Sequence, residues 1–150
     1  MKLVIISGTV FGTSEEVAYH AEEKLKEQAI EVVYNSRITY EQLIAEQADA
    51  VLFICSTTGM GELPDTIYPI FQALKENAPN WQGLPSGVIA LGDQSYGPTF
   101  CGAGEQIKEL LEELGTQPVL DMLRLDASAT VTPELDAEPW LAEFAAKLKA

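Results

Sequence analysis

The chain alternates short, wholly apolar runs with longer stretches in which apolar residues recur every three or four positions. Leu3 to Ile6 is a continuous apolar run closed by Ser7-Gly8, the pattern of a strand buried on both faces. Val17, Ala21, Leu25 and Ala29 follow at a spacing of four, one face of a helix whose wet side is Glu22, Glu23, Lys24, Lys26 and Glu27. Ile30 to Tyr34 predicts a second, thinner strand. Thr39-Tyr40-Glu41-Gln42 has the form of a capping box that opens a short helix. Ala50 to Cys55 is the strongest apolar run and predicts a central strand. Ile67, Ile70, Phe71 and Leu74 stand at i, i+3, i+4 and i+7. They predict a helix capped by Asp65, with Pro69 in its first turn, where a missing N–H matters little. Gly87 to Leu91 predicts a fourth buried strand. Ile107, Leu110, Leu111 and Leu114 predict a helix stopped by Gly115, with Pro118 beyond it. Val119 to Leu125 predicts an uninterrupted fifth strand. After a polar, Pro-containing stretch (126–139), a final helix turns Leu141, Phe144, Ala145 and Leu148 inward.

Strands that alternate with helices imply parallel pairing through right-handed crossovers. The expected fold is α/β: a single domain over residues 1–150, with a doubly wound five-stranded parallel sheet between two helical layers. With a strand order of 2-1-3-4-5, strands one, three and four are neighbours at the centre. Ligands of such sheets bind outside the carboxyl ends of the strands, where the strand order switches.

Composition narrows the function. The apolar fraction of 47% fills a core, so disorder is not expected. Nine Lys and Arg against 23 Asp and Glu give a net charge of −14. A domain this acidic lacks the electrostatic footprint of a nucleic-acid binder and is repelled by anionic lipid. The opening apolar run is far shorter than a signal-peptide core or a membrane helix, and the two cysteines form no CxxC, so a cytoplasmic protein in a reducing compartment is expected. His20 is the single histidine, which excludes a multi-His metal site. It is expected on the wet side of the first helix. Cys55 is placed like a phosphatase nucleophile, but Gly61 stands where C-x5-R needs its Arg. Trp81 and Trp140 are read as packing residues.

Three loops follow the three central strands. The first, Ser7 to Ser14, feeds a helix N-terminus, where free N–H groups and the helix dipole favour an anion. Thr9, Thr13 and Ser14 offer hydroxyls, and Gly12 lets the backbone approach closely. No Lys or Arg lies between Lys2 and Lys24, so such a site works through neutral donors. An ordinary Ser/Thr helix cap is the plainer alternative. Thr13 stands where a Walker loop has its Lys. The second loop, with Gly59 and Gly61 around Met60, brings bare backbone against a ligand edge. The third carries Tyr96 between polar and turn residues, as a stacking platform or as surface decoration, and Asp93, an acceptor for imide-type N–H groups.

Together these residues resemble the flavodoxin family, whose members bind FMN. The phosphate motif T/S-x-T-G-x-T is matched by Thr9-Val10-Phe11-Gly12-Thr13-Ser14, with Phe11 in place of a Thr and one hydroxyl donor lost. The second motif, S-T-T-G-x-G-[DE]-x-P-D, runs from Ser56, Thr57, Thr58, Gly59, Met60 and Gly61 to Asp65. The third is Gly92-Asp93-Gln94-Ser95-Tyr96, then Phe100-Cys101-Gly102, one residue longer than usual. The likeness covers the whole chain and points to short-chain, MioC-like flavodoxins, which lack a long insertion in the last strand. Flavodoxin is itself a standard case of the 2-1-3-4-5 order with FMN at the switch point.

The resemblance implies an electron carrier, not an enzyme, that passes single electrons through FMN. Its implied partners are basic-surfaced redox proteins, such as a flavodoxin/ferredoxin-NADP reductase, and acceptor enzymes. A monomer is expected. It further implies that the Gly59 carbonyl turns toward flavin N5 and that Tyr96 stacks on the ring. Thr58 stands where many members place an aromatic ring, so Thr58, Met60 or Leu63 covers the second face. Two other readings remain: an FMN-dependent NAD(P)H:quinone reductase, and an interaction protein in which FMN binding is weak or lost.

Overall fold

The structure is a computed structural model that describes residues 1–10, 12–58, 61–92, 101–126 and 129–150. Four strands make the body of the sheet: β1 (Lys2–Gly8), β2 (Glu31–Tyr34), β3 (Ala50–Ser56) and β4 (Pro85–Gly92). All pair in parallel, in the order β2-β1-β3-β4. The fifth position is shared by β5 (Gln117–Pro118) and β6 (Leu123–Asp126), each parallel to β4. The strand order is therefore 2-1-3-4-5, as expected.

The helices are α1 (Thr13–Glu27), α2 (Tyr40–Ala45), α3 (Tyr68–Asn77), α4 (Gly102–Glu113), α5 (Pro133–Asp136) and α6 (Glu138–Lys149). They cover both faces, which explains why the strands read as unbroken apolar runs. Leu3, Ile5, Leu52, Ile54, Ile89 and Leu91 pack against α1 and α6 through Val17, Ala21, Leu25, Leu141, Phe144 and Ala145. Val4, Ile6, Val51, Phe53 and Val88 pack on the other side against Leu43 of α2, Ile70 and Leu74 of α3, and Ile107, Leu110 and Leu111 of α4.

Local signals account for two boundaries. Thr39 and Gln42 form the reciprocal capping box at the start of α2, with Gln42 N–H donating to Thr39 Oγ1 at 3.1 Å and Thr39 N–H to Gln42 Oε1 at 2.9 Å. Gly115, with φ +81°, follows the end of α4.

Three expectations are corrected, and one short helix is added. Helix α1 ends at Glu27, and Ala29 lies outside it, exposed and left-handed at φ 63°. Asp65 does not cap α3, which starts after Ile67 without a side-chain cap. The 126–139 stretch contains the short helix α5. The fifth strand is interrupted, because Ser86 pairs with Pro118 and Ile89 with Leu123, so that Gly87 and Val88 face four residues, Val119 to Met122. This two-residue bulge is held by Val119 N–H donating to Ser86 O at 2.9 Å and by Trp140 Nε1–H donating to Asp121 O at 3.0 Å.

Candidate cofactor site

The register brings the loops together. Gly8 pairs with Cys55 and Ser56 with Leu91, so β1, β3 and β4 end level at one edge of the sheet. The loop after β1 reaches α1 through Gly12, the N-cap, at φ 89°. Among the described residues the N-cap gives this helix no side-chain cap. Thr9 Oγ1 instead accepts from Gly12 N–H at 2.6 Å and braces the turn. Among the described residues a Cβ on Gly12 would meet nothing within 4 Å. Among the described residues, the Thr9 hydroxyl bonds the N-cap N–H rather than an N–H inside α1.

Hydrogen bonds lock this loop to its neighbours. The buried Ser14 hydroxyl bonds that of Ser56 at the end of β3. Thr66, just before α3, accepts from Thr9 N–H at 2.9 Å. In the second loop Gly61, at φ 80°, donates to Thr58 O at 2.9 Å, and Glu62 N–H donates to Thr58 Oγ1 at 3.0 Å. The first turn of α4 closes on it from the other side. Ala103 N–H donates to Thr57 Oγ1 at 3.3 Å, and Gln106 Nε2 donates to Gly61 O at 2.9 Å. A Cβ on Gly102 would lie 2.9 Å from Gly61 O, which is why a glycine opens α4.

Of the sequence-derived site residues, Thr9, Gly12, Thr13, Ser14, Ser56, Thr57, Thr58, Gly61, Gly92 and Cys101 stand at this one edge. Val10 is there too, and exposed. Phe11, Gly59, Met60, Asp93, Ser95, Tyr96 and Phe100 lie outside the described residues. Thr66 and Gln106 were not anticipated. Their partners are 57 and 45 positions away, and no local motif marks them.

The charges around the start of α1 are acidic, and they work against an anion there. Two acidic residues sit in the first turn of α1. Glu16 is exposed, and Glu15 lies near enough to Tyr34 to contribute to that phenol's raised pKa. Burial is the main cause, pushing Tyr34 up to about 12 against the lowering effect of its 2.7 Å hydrogen bond with Ser7. Burial opposes ionisation of both thiols. Burial drives Cys55 far above its ordinary range and Cys101 up to about 11. Cys101 is the left-handed N-cap of α4 (φ 56°), with its Sγ 3.6 Å from Ala90 O. It is a packed turn residue.

His20 is not on a wet surface. Its Nε2 lies 2.7 Å from Glu138 Oε1, joining α1 to α6, and this bond, with Lys24 nearby, lowers the Glu138 pKa. Among the described residues no group of His, Cys, Asp and Glu could hold a metal, and no helix is long and apolar enough to cross a membrane.

A parallel 2-1-3-4-5 sheet with an uncapped helix N-terminus and hydroxyl-lined loops at its switch point defines a mononucleotide-binding α/β protein. The flavodoxin family model matches residues 5–140, and the chain belongs to that family. It is 58% identical over 149 residues to an uncharacterized protein of Pseudomonas aeruginosa, covering 99% of each chain. It is 39% identical over 140 residues to flavodoxin YqcA of Escherichia coli, covering 93% of each, and 33% identical over 147 residues to protein MioC of the same species, covering 98% of each. Among solved structures, the C101S mutant of flavodoxin from Pseudomonas aeruginosa superposes with a TM-score of 0.96 at 57% identity, covering 100% of both chains.

Proposed function

We propose that this chain is an FMN-dependent electron carrier that moves single electrons from a reductase to acceptor enzymes. The observation that carries the reading is the N-terminus of α1, which has no side-chain cap among the described residues and is linked through Ser14–Ser56 and Thr9–Thr66 to the neighbouring loops. FMN is the cofactor. When bound, it supplies the redox chemistry. The residues of the chain hold and shield it. First-turn N–H groups of α1 and the hydroxyls of Thr9 and Thr13 hold the phosphate. Ser14 and Ser56 fix the loop that carries them. Thr57, Thr58 and Gly61, pinned by Ala103 and Gln106, form the wall along the flavin edge.

The net charge of −14 supports basic-surfaced partners, which it draws in by long-range attraction. Glu62 and Asp65, with Tyr68 and Gln106, rim a hollow of about 380 Å³ beside the second loop, a place for a partner's cationic side chain. The test is a coupled assay. The FMN-loaded protein should reduce cytochrome c when given NADPH and a flavodoxin reductase. Without the reductase it should leave NADPH unoxidised. Rapid NADPH oxidation by the protein alone would make it a reductase instead.

A further inference from the structure

The first residues of the loop after β1 are held by two residues from a distant part of the chain. Thr66 Oγ1 accepts from Thr9 N–H at 2.9 Å and donates to Thr9 O at 3.4 Å, so one hydroxyl engages both polar groups of a single residue's backbone. One position earlier the hold is by packing. A Cβ on Gly8 would lie 2.6 Å from Ile67 Cγ2 and 3.1 Å from Cys55 Sγ, so the buried Ile67 side chain sits directly on the bare Cα of Gly8. Ile67 is itself fixed, its N–H donating to Pro64 O at 3.1 Å and its carbonyl accepting from Phe71 N–H at 3.0 Å. Gly8 and Thr9 thus rest on Ile67 and Thr66 at two points, one apolar and one polar.

What this hold fixes is the Thr9 hydroxyl. Its oxygen accepts from Gly12 N–H at 2.6 Å, which leaves its own O–H proton to be donated elsewhere. Where that proton can point follows from the Thr9 backbone, and Thr66 sets that backbone. Aim matters more here than at a cationic site. Glu15 and Glu16 stand in the first turn of α1, and no Lys or Arg lies between Lys2 and Lys24, so local charge does not draw an anion in. Preference for a phosphate then depends on well-aligned bonds from neutral donors, which weaken steeply when misaligned.

From the proposed FMN site, on which this step rests, we infer that Thr66 is a positioning residue that makes the site select the phosphorylated flavin over the unphosphorylated one. It acts through Thr9, whose O–H it aims, and not on the ligand. It lies outside the run Thr9 to Ser14 and reaches it across 57 positions of sequence. Its contribution is therefore confined to the phosphate end, and a flavin without a phosphate does not feel it.

The test is fluorescence titration of wild-type and variant apoprotein with FMN and, separately, with riboflavin. Thr66→Val keeps the side chain's shape and removes its hydroxyl. It should weaken FMN about fivefold and leave riboflavin within about twofold. Thr66→Ser keeps the hydroxyl and should bind both ligands within about twofold of wild type. In a Thr9→Val background, adding Thr66→Val should cost FMN less than about twofold more, because both act through one hydroxyl. Thr66 is exposed, so the variants should fold, and urea midpoints of the apoproteins check this. Four results overturn the inference and leave the FMN site standing: unchanged FMN affinity in Thr66→Val, an equal loss of both ligands, a serine variant as weak as the valine one, or a full further loss in the double variant. A wild type that binds FMN no tighter than riboflavin overturns the site itself.

Discussion

Ser14, in the first turn of α1, and Ser56, at the end of β3, bond hydroxyl to hydroxyl across 42 positions of sequence. The bond ties the helix whose N-terminus is proposed to receive the phosphate to the strand that launches the second loop. Ser14→Ala or Ser56→Ala removes about 1 kcal/mol of support, or roughly a fivefold loss of FMN affinity. The double variant should lose little more than either single one, because both act through one bond. FMN fluorescence titrations of the three variants check this. Additive losses would mean that each serine acts separately.

Two glycines on α4 should respond differently. A Cβ on Gly104 would lie 2.4 Å from Ala90 Cβ, between a helix and a central strand that cannot part cheaply. Gly104→Ala should cost about 1–3 kcal/mol in urea unfolding of the apoprotein. At Gly102 the obstacle is the carbonyl of Gly61, 2.9 Å away in the second loop. Gly102→Ala should displace that loop, so that FMN affinity falls more than apoprotein stability does.

The thiols should be silent in the native state. Cys55 and Cys101 are both fully buried, and burial raises both pKa values. A thiol reagent at pH 8 should label them only as fast as the protein opens, and denaturant should release both. The sign of the pH effect follows. Raised from 9.0 to about 11, Cys101 favours the folded state fully below about pH 9. That stabilisation is lost as the pH rises toward 11, because the unfolded chain ionises first. Urea midpoints measured from pH 8 to 11 should fall, and Cys101→Ala should flatten the decline.

Electron transfer from a basic reductase should slow as salt rises. At about 0.3 M ionic strength attraction is screened beyond several ångströms, and the second-order rate should fall several-fold from its value near 0.05 M. A salt-independent rate would confine the acidity to a role in solubility.

What was legible in the chain depended on range. The capping box at Thr39 and Gln42 involves neighbours three apart, and the sequence pattern located it. The apolar strands were legible because burial on both faces leaves no ambiguity of period. Ala29 extends the spacing of four in α1, but spacing does not reveal where the backbone turns left-handed. The bulge at Val119–Met122 was hidden for a tertiary reason. Trp140, 19 residues later, captures the Asp121 carbonyl, and no local alternation records that bond. At the site, the motifs marked the hydroxyls and glycines. They did not mark Thr66, Gln106 or Ala103, which hold those loops in place from other elements.

The central claim is that the helix N-terminus and neutral donors grip a phosphate. Titrating apoprotein with FMN and with riboflavin, which lacks that group, tests it most directly. Charge-assisted bonds from several N–H and O–H groups predict 1:1 FMN binding at least about a hundredfold tighter than riboflavin binding. Equal affinities, or no FMN binding, would contradict it.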